Sequence, residues 1–165
     1  MKILTTISDH DSADYSGFVY RAAARGAFFN EAGLMPLLHV GASDYYKLPG
    51  GGIEPGESMD DALSREVLEE TGCELAETIL LGMIIEVRSE FRMVQVSFCY
   101  TGKIATQNAQ PEFTADEQEN GFELMWTGAD EALQLLAQSS TKDYESDFIT
   151  RRDASIIREA GNVLS

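Results

Sequence analysis

The sequence predicts one α+β domain, with mixed strands first and helices closing the chain. Three observations support this. The length of 165 residues suits a single domain, at roughly 150 residues per domain. The 44% hydrophobic and 24% charged residues are ordinary globular proportions and exclude wholesale disorder. Short runs rich in Val, Ile, Phe and Tyr, set apart by Gly and Pro, fill most of residues 1–126, and helical periodicity dominates beyond them.

Residues 2–7 read as a short strand and 8–17 as a polar loop. Residues 18–29 follow as a strand with Val19, Tyr20, Ala22, Ala24 and Phe28, and parity puts Arg21 and Arg25 on one face. A turn at 30–33 and a strand at 34–40 give the pattern of a hairpin. Residues 45–48 form a third extended piece, stopped by Pro49 and three glycines. Ser58 is placed to cap a helix whose apolar stripe is Met59, Ala62, Leu63 and Val67, and Gly72 to end it. Long strands at 79–88 and 93–104, a polar loop at 105–120 and a short strand at 122–126 come next. Helices at 130–138, capped by Thr127, and at about 146–163 complete the chain.

Twelve Lys and Arg against 28 Asp and Glu leave a net charge of −16. Such a surface repels a phosphate backbone and an anionic membrane, so duplex nucleic acid and lipid surfaces are excluded as partners. A small phosphate-bearing substrate stays compatible if a divalent cation lies between it and the protein. Cys73 and Cys99 form no CxxC pair and read as reduced, buried thiols. The longest apolar run, residues 79–85, is too short to span a bilayer. The N-terminus carries one lysine, the stretch ILTTI and an acidic segment at 8–14, which is no leader pattern. These features predict a soluble cytoplasmic protein.

Residues 51–73, GGIEPGESMDDALSREVLEETGC, are unlike the rest of the chain. They hold seven acids, Glu54, Glu57, Asp60, Asp61, Glu66, Glu69 and Glu70, against one base, Arg65. On a helix Glu66 neighbours Glu69 and Glu70 at i,i+3 and i,i+4, where like charges cost roughly 0.2–0.5 kcal/mol per pair. Arg65 reaches Glu69 at i,i+4 but cannot neutralise the cluster. Convergent hard oxygens suit Mg²⁺ or Mn²⁺, which retain waters and bridge to phosphates. Gly50, Gly51 and Gly52 let backbone approach a ligand, and a carbonyl there is a further donor. Taken singly, these residues fit a solvated acidic helix after a Gly-rich turn just as well.

Together they resemble the Nudix box, G-x5-E-x7-R-E-U-x-E-E-x-G-U with U a bulky apolar residue. Gly51, Glu57, Arg65, Glu66, Val67, Glu69, Glu70 and Gly72 fill it, and Cys73 takes the last U position, nine specified positions over 23 residues. LPGG before the box and ELMWTGADEAL downstream agree. The chain is thereby identified as a member of the Nudix hydrolase family, with the resemblance running from about residue 20 to residue 136. The resemblance implies an α/β/α sandwich with a mixed β-sheet and a C-terminal helix, in one domain over residues 1–165. It implies Mg²⁺-dependent hydrolysis of a diphosphate linkage in a nucleoside di- or triphosphate or a related nucleoside diphosphate derivative, with Mn²⁺ able to substitute. A nucleotide-sugar or other non-nucleoside diphosphate hydrolase, and a non-catalytic nucleotide-sensing module, are the alternatives. By the same resemblance Glu66, Glu69 and Glu70 hold metal with the Gly51 carbonyl, Glu57 supports them through water, and Arg65 orients the glutamates. Glu66 or Glu69 takes the proton of the attacking water. Both a monomer and a homodimer agree with the family. Glu70→Gln is expected to remove most activity and spare the fold, on the premise that this carboxylate faces an open cleft.

Outside the box, Arg21, Arg25, Lys47, Arg88 and Arg92 are candidates for meeting substrate phosphates, and Tyr45, Tyr46 and Phe91 for stacking on a base. Glu117, Glu119 and Glu123 lie where some relatives place another metal-binding acid. Arg151 and Arg152 read as local ion pairing in the last helix, Arg151 with Asp147. The proline of ADP-ribose readers, the tyrosine of dinucleoside polyphosphate hydrolases, the upstream coenzyme A motif and the NADH-type SQPWPFPxS stretch do not appear. What the resemblance then implies is a general nucleoside di- or triphosphate pyrophosphohydrolase.

Overall fold

In the computed structural model, which describes residues 1–107, 109–139 and 143–164, the longest Val-, Ile- and Tyr-rich runs pair as an antiparallel ribbon. These are β6 (Cys73–Arg88) and β7 (Met93–Gln107). Both run further than periodicity suggests, because pairing carries polar residues such as Glu74 and Thr106 along with the apolar ones. β1 (Ile3–Ser8) adds in parallel to β6, and β2 (Val19–Phe29) adds in parallel to β7. The glycines at β5 (Gly50–Gly52) are themselves a strand, antiparallel to β2, so the sheet order is β1-β6-β7-β2-β5.

A second sheet has the order β4-β3-β8, from β3 (Met35–Val40), β4 (Tyr45–Lys47) and β8 (Phe122–Thr127). The expected hairpin of residues 18–29 with 34–40 is therefore corrected. The turn is present, with the Asn30 N–H donating to Leu34 O at 2.9 Å, but β3 pairs with β4 and β8 instead of β2. Successive Leu37 and Leu38 point to opposite faces and both are fully buried, so β3 needs cover on two sides and takes the centre of its own sheet.

α1 (Met59–Thr71) begins at Ser58, whose Oγ accepts the Asp61 N–H at 3.1 Å, a cap worth about 1 kcal/mol. It ends at Gly72 in the left-handed region, φ 70°. Ala62, Leu63 and Val67 bury against Ala24, Phe28 and Tyr100 on one face of the larger sheet. On the opposite face lie the second sheet, α3 (Ala129–Ser139) and α4 (Tyr144–Leu164), closing over Ala27, Ile84 and Cys99 with Leu37, Leu48, Leu136 and Ile156. The layers are thus helix, sheet, then sheet with helices, as an α/β/α sandwich requires.

The segment read as a polar loop at 105–120 includes the end of β7 and a short α2 (Ala115–Glu119), built on a reciprocal capping box between Thr114 and Glu117. Thr127 belongs to β8, and its hydroxyl donates to Glu131 at 2.7 Å, while the first α3 bond runs from the Ala132 N–H to Gly128 O. Cys73 and Cys99 are free and buried. Among the described residues no helix is long and apolar enough to cross a membrane.

Candidate active site

The antiparallel edge of β5 places Gly51 opposite Ala24 and Gly50 opposite Arg25. A side chain at Gly51 would collide with the Glu66 carboxylate, so this glycine is where α1 presents its acid to the strand backbone. Gly50, at φ 134°, leaves room for the backbone of Ala24 and Arg25. Between β5 and α1 the chain turns on a bond from the Glu57 N–H to Glu54 O.

Arg65 gathers the box. Its guanidinium donates to both oxygens of Glu57 at 2.8 and 3.0 Å, to Glu66 at 2.8 Å, to Glu69 at 3.4 Å and to the Gly52 carbonyl at 3.1 Å. The bidentate pair is the strongest geometry open to a guanidinium. The Arg65 hydrogen bonds pull the Glu57 carboxyl down to about 2, and the same bonds, those with Glu57 first, push Arg65 further up. One cation thus spans the glycine strand, the loop and the helix.

Glu70 is separate. It is 2% exposed, with Oε1 accepting from Lys47 Nζ at 2.9 Å and Oε2 from the Gly50 N–H at 2.7 Å. Burial pushes its carboxyl above the ordinary range, against the pull of Lys47 and that N–H. The premise of an open setting for Glu70 is therefore corrected: the α1 stripe that packs on the sheet carries it inside. Glu69, one residue earlier, keeps 46% of its side chain exposed.

These groups border a cleft of about 270 Å³ that also meets the far face of the larger sheet. Register sets Arg21 opposite Gln95 and Gln95 opposite Glu86, so a polar row crosses three strands. Glu86, fully buried, accepts from Arg88 at 2.7 Å, Gln95 at 2.7 Å and Arg152 at 3.5 Å. Burial works against its charge, but Arg152 and Arg88 outweigh it and hold the carboxyl low. Asp153 joins α4 to the LPGG loop, accepting the Leu48 N–H at 2.7 Å and Arg152 Nε at 2.7 Å. Beside the cleft, sharing Tyr45 and Glu145 with it, a wider hollow carries Phe91, Phe122 and Tyr144.

Of the residues singled out in the sequence, Gly50, Gly51, Gly52, Glu66, Glu70, Arg21, Arg25, Tyr45, Lys47, Arg88 and Glu117 line this one cleft. Glu57 and Glu69 join it through Arg65. Glu119 and Glu123 do not: both are exposed, and Glu123 stands opposite His39 in the β8–β3 pairing. Arg92 is exposed and donates to Ser16 O at 2.8 Å. Arg25 and Arg88 are buried, not surface charges. Arg151 pairs with Asp147 at 3.1 Å as expected, but Arg152 is 2% exposed and reaches across to the sheet. Arg152, Gln95 and Glu145 line the cleft without having been singled out for it. For Arg152 a signal existed: Arg152 and Asp153 fall between Ile149 and Ile156 on the buried stripe of α4.

Hard oxygen donors from Glu66, Glu69 and Glu70 beside the Gly51 backbone have the chemistry that Mg²⁺ or Mn²⁺ needs, so the residues present fit such an ion. As they stand, Glu66 and Glu69 are turned to Arg65 and Glu70 to Lys47. Among the described residues no group of three or more carboxylates forms a ready cage.

A glutamate helix tied by one arginine to a glycine strand, on a mixed sheet inside a layered sandwich, defines a Nudix domain. The sequence profile of the NUDIX domain matches residues 19–147, and the chain belongs to that family. It is 39% identical over 62 residues to a Bacillus subtilis (strain 168) protein named "Putative 8-oxo-dGTP diphosphatase", a match over 36% of this chain. The chain spans 42% of that relative's length. Among solved structures it resembles a NUDIX hydrolase from Nitrosomonas europaea, with TM-score 0.61 and 23% identity, over 72% of this chain and 79% of that one. It also resembles a MutT protein from Methanosarcina mazei Go1, with TM-score 0.56 and 21% identity, over 83% and 95%. Both likenesses show the fold.

Proposed function

We propose that this protein is a metal-dependent pyrophosphohydrolase acting on a nucleoside di- or triphosphate or a related nucleoside diphosphate derivative. The observation that carries the reading is the Arg65 hub, which holds Glu57, Glu66 and Glu69 at the edge of the glycine strand. The partial likeness to the Bacillus subtilis relative and the aromatic hollow beside the cleft favour a nucleoside as the group attached to the diphosphate.

Glu66, Glu69 and Glu70, with the Gly51 carbonyl, would hold Mg²⁺ or Mn²⁺. The ion would supply charge cancellation at the phosphate oxygens and a more acidic water. The chain's own groups do the rest. Arg65 anchors Glu66 and Glu69 side by side at the edge of the glycine strand, each through one oxygen. Glu66 or Glu69 accepts the proton as a water oxygen bonds to phosphorus and the bond to the bridging oxygen breaks, its electrons leaving with the phosphate. Lys47 and Arg21, which line the cleft, would offset the charge of the substrate phosphates.

The test is phosphate and pyrophosphate release with Mg²⁺ and then Mn²⁺, over nucleoside triphosphates, 8-oxo-dGTP, ADP-ribose, nucleotide sugars and dinucleoside polyphosphates. Turnover that disappears in Glu69→Gln is expected. Wild-type turnover in that variant would remove Glu69 from the catalytic site, and silence across the panel with binding still detectable would replace the hydrolase by a nucleotide-sensing module.

A further inference from the structure

Three arginines, Arg25 from β2, Arg88 from β6 and Arg152 from α4, form the floor of the cleft, each no more than 5% exposed. Two fully buried acids, Glu86 and Asp153, face them. Arg152 uses both acids and Arg88 uses Glu86, with the half-exposed Glu145 at 3.4 Å. Arg25 has neither: among the described residues its guanidinium makes one hydrogen bond, to the Gly50 carbonyl at 3.4 Å. The Nε atoms of Arg25 and Arg88 are buried without any acceptor. Burial first, and then the charge of Arg152, push Arg25 down to about 10.

A protein of net charge −16 thus sets three guanidinium groups against two buried acids at the floor of its cleft, with two guanidinium donors left over. Structural need does not account for it. The network of Arg88, Gln95 and Arg152 around Glu86 already fastens α4 to the sheet, and Arg25 takes no part in it. Nor is the floor made for a flat ring, since Tyr45 and Ile149 are the only large apolar groups that line it among the described residues. A buried guanidinium with no acid of its own, Arg25, beside a second whose Nε–H is unused, Arg88, is suited to receive a compact oxyanion with several acceptor oxygens.

We propose that Arg25, Arg88 and Arg152 bind a phosphate group of the substrate that is additional to the diphosphate handled by the box glutamates. The inference rests on the hydrolase reading of the cleft only for the word substrate; the anion site itself stands without turnover. The additional phosphate has two possible sources, a third phosphate in the nucleotide chain or a phosphomonoester on the sugar.

The first experiment uses inorganic phosphate as the probe, titrated calorimetrically into the full chain in EDTA. The wild type is expected to bind, Arg25→Met to bind at least about tenfold more weakly, and Arg25→Lys to fall between them, because it keeps charge without the fork. No binding by the wild type, or equal affinity in Arg25→Met, overturns the proposal. Arg25→Met should melt no lower than the wild type. If it does not fold, the arginine Nε–H resonances of the unaltered protein decide: phosphate must shift those of Arg25 and Arg88, and unmoved signals overturn the site. The second experiment compares kcat/KM for GDP, GTP and 3′-phosphoguanosine 5′-diphosphate in wild type and Arg25→Met with Mg²⁺. A loss confined to GTP identifies the chain phosphate, and one confined to the bisphosphorylated nucleotide identifies the sugar phosphate. An equal effect on all three, GDP included, means that the floor serves the diphosphate itself or nothing, and the proposal falls. Phosphate binding through Arg25 without turnover on any diphosphate would reject the hydrolase reading and keep the anion site.

Discussion

Lys47 Nζ stands 2.9 Å from Glu70 Oε1, and the other oxygen of that carboxylate takes the Gly50 N–H at 2.7 Å. Glu70 therefore ties β4, β5 and α1 at one buried point before any ligand arrives. Among the described residues the Glu69 carboxylate has only a 3.4 Å contact, with Arg65, and it remains half-exposed. Adjacent glutamates of one motif are thus in different physical states.

That difference separates two substitutions. A glutamine at position 70 has one carbonyl oxygen and cannot accept from both Lys47 and the Gly50 N–H, so one donor is left unpaired in a buried place, at a cost of about 1–3 kcal/mol. Glu70→Gln should lose activity and melt lower, whereas Glu69→Gln should lose activity at nearly unchanged Tm. Paired thermal melts and kcat/KM values check this; equal Tm for both variants would show that the Lys47–Glu70–Gly50 link does not hold the site together.

Arg65→Lys tests the hub. An ammonium cannot fork to Glu57 while also reaching Glu66 and the Gly52 carbonyl. The pairs are partly solvated, each worth about 0.2–1 kcal/mol, so the fold should survive with a modest fall in Tm. The rotamers of Glu66 and Glu69 would lose their common anchor, and kcat is expected to drop by more than about tenfold. Unchanged kcat would remove Arg65 from any positioning role.

The sequence disclosed the box because its spacing is local. Ser58, Gly72 and the stripe of α1 depend on neighbours a few residues away, and the structure has them as read. The pairing of β3 was not legible, since the turn at Asn30 suits a hairpin and only the burial of both Leu37 and Leu38 shows that two faces need cover. The cleft floor was half legible. Parity put Arg21 and Arg25 on one face, but that this face is roofed by α4 depends on contacts such as Arg152 to Glu86, 66 residues apart. Charged residues inside apolar patterns, Glu86 on β6 and Arg152 on α4, were the available signal for it.

Removing Arg152 should be costly to the fold. Its guanidinium is the partner of fully buried Asp153 at 2.7 Å and of Glu86 at 3.5 Å. Arg152→Ala leaves Asp153 without its ion pair and withdraws one of the cations facing Glu86, and breaking a buried pair from one side costs about 3–5 kcal/mol. Chemical denaturation should show that loss, with α4 the first element to exchange its amides. A loss under about 1 kcal/mol would mean that the buried network contributes little to the fold.

Glu57 gives the pH dependence its sign. Arg65 lowers its carboxyl from 4.5 to about 2. The stabilisation from Glu57 is thus complete above the unfolded value of 4.5 and disappears as pH falls toward about 2. Wild type and Glu57→Gln should differ in Tm at pH 6 by a constant amount, and the difference should shrink below pH 4.5. A gap that widens on acidification would contradict the Arg65–Glu57 clamp.

Gly51→Ala separates the site from the fold. The new methyl would meet the Glu66 carboxylate, the free end of a flexible side chain, and no backbone atom is among its nearest neighbours. Unlike Gly50 at φ 134° and Gly72 at φ 70°, Gly51 does not occupy a conformation that an L residue resists. Folding should therefore proceed, with a Tm close to wild type, while Glu66 swings away from the glycine strand and from Arg65 Nη1, now 2.8 Å away. Activity should fall at least about tenfold, since a displacement of about 1 Å in a positioned group is enough for a loss of that order or more. Gly72→Ala is the opposite control: it strains the αL end of α1 and pushes into the Ala109 carbonyl, so its loss should appear in Tm. Should Gly51→Ala keep wild-type kcat, the close approach of Glu66 to the Gly51 backbone would have no part in catalysis.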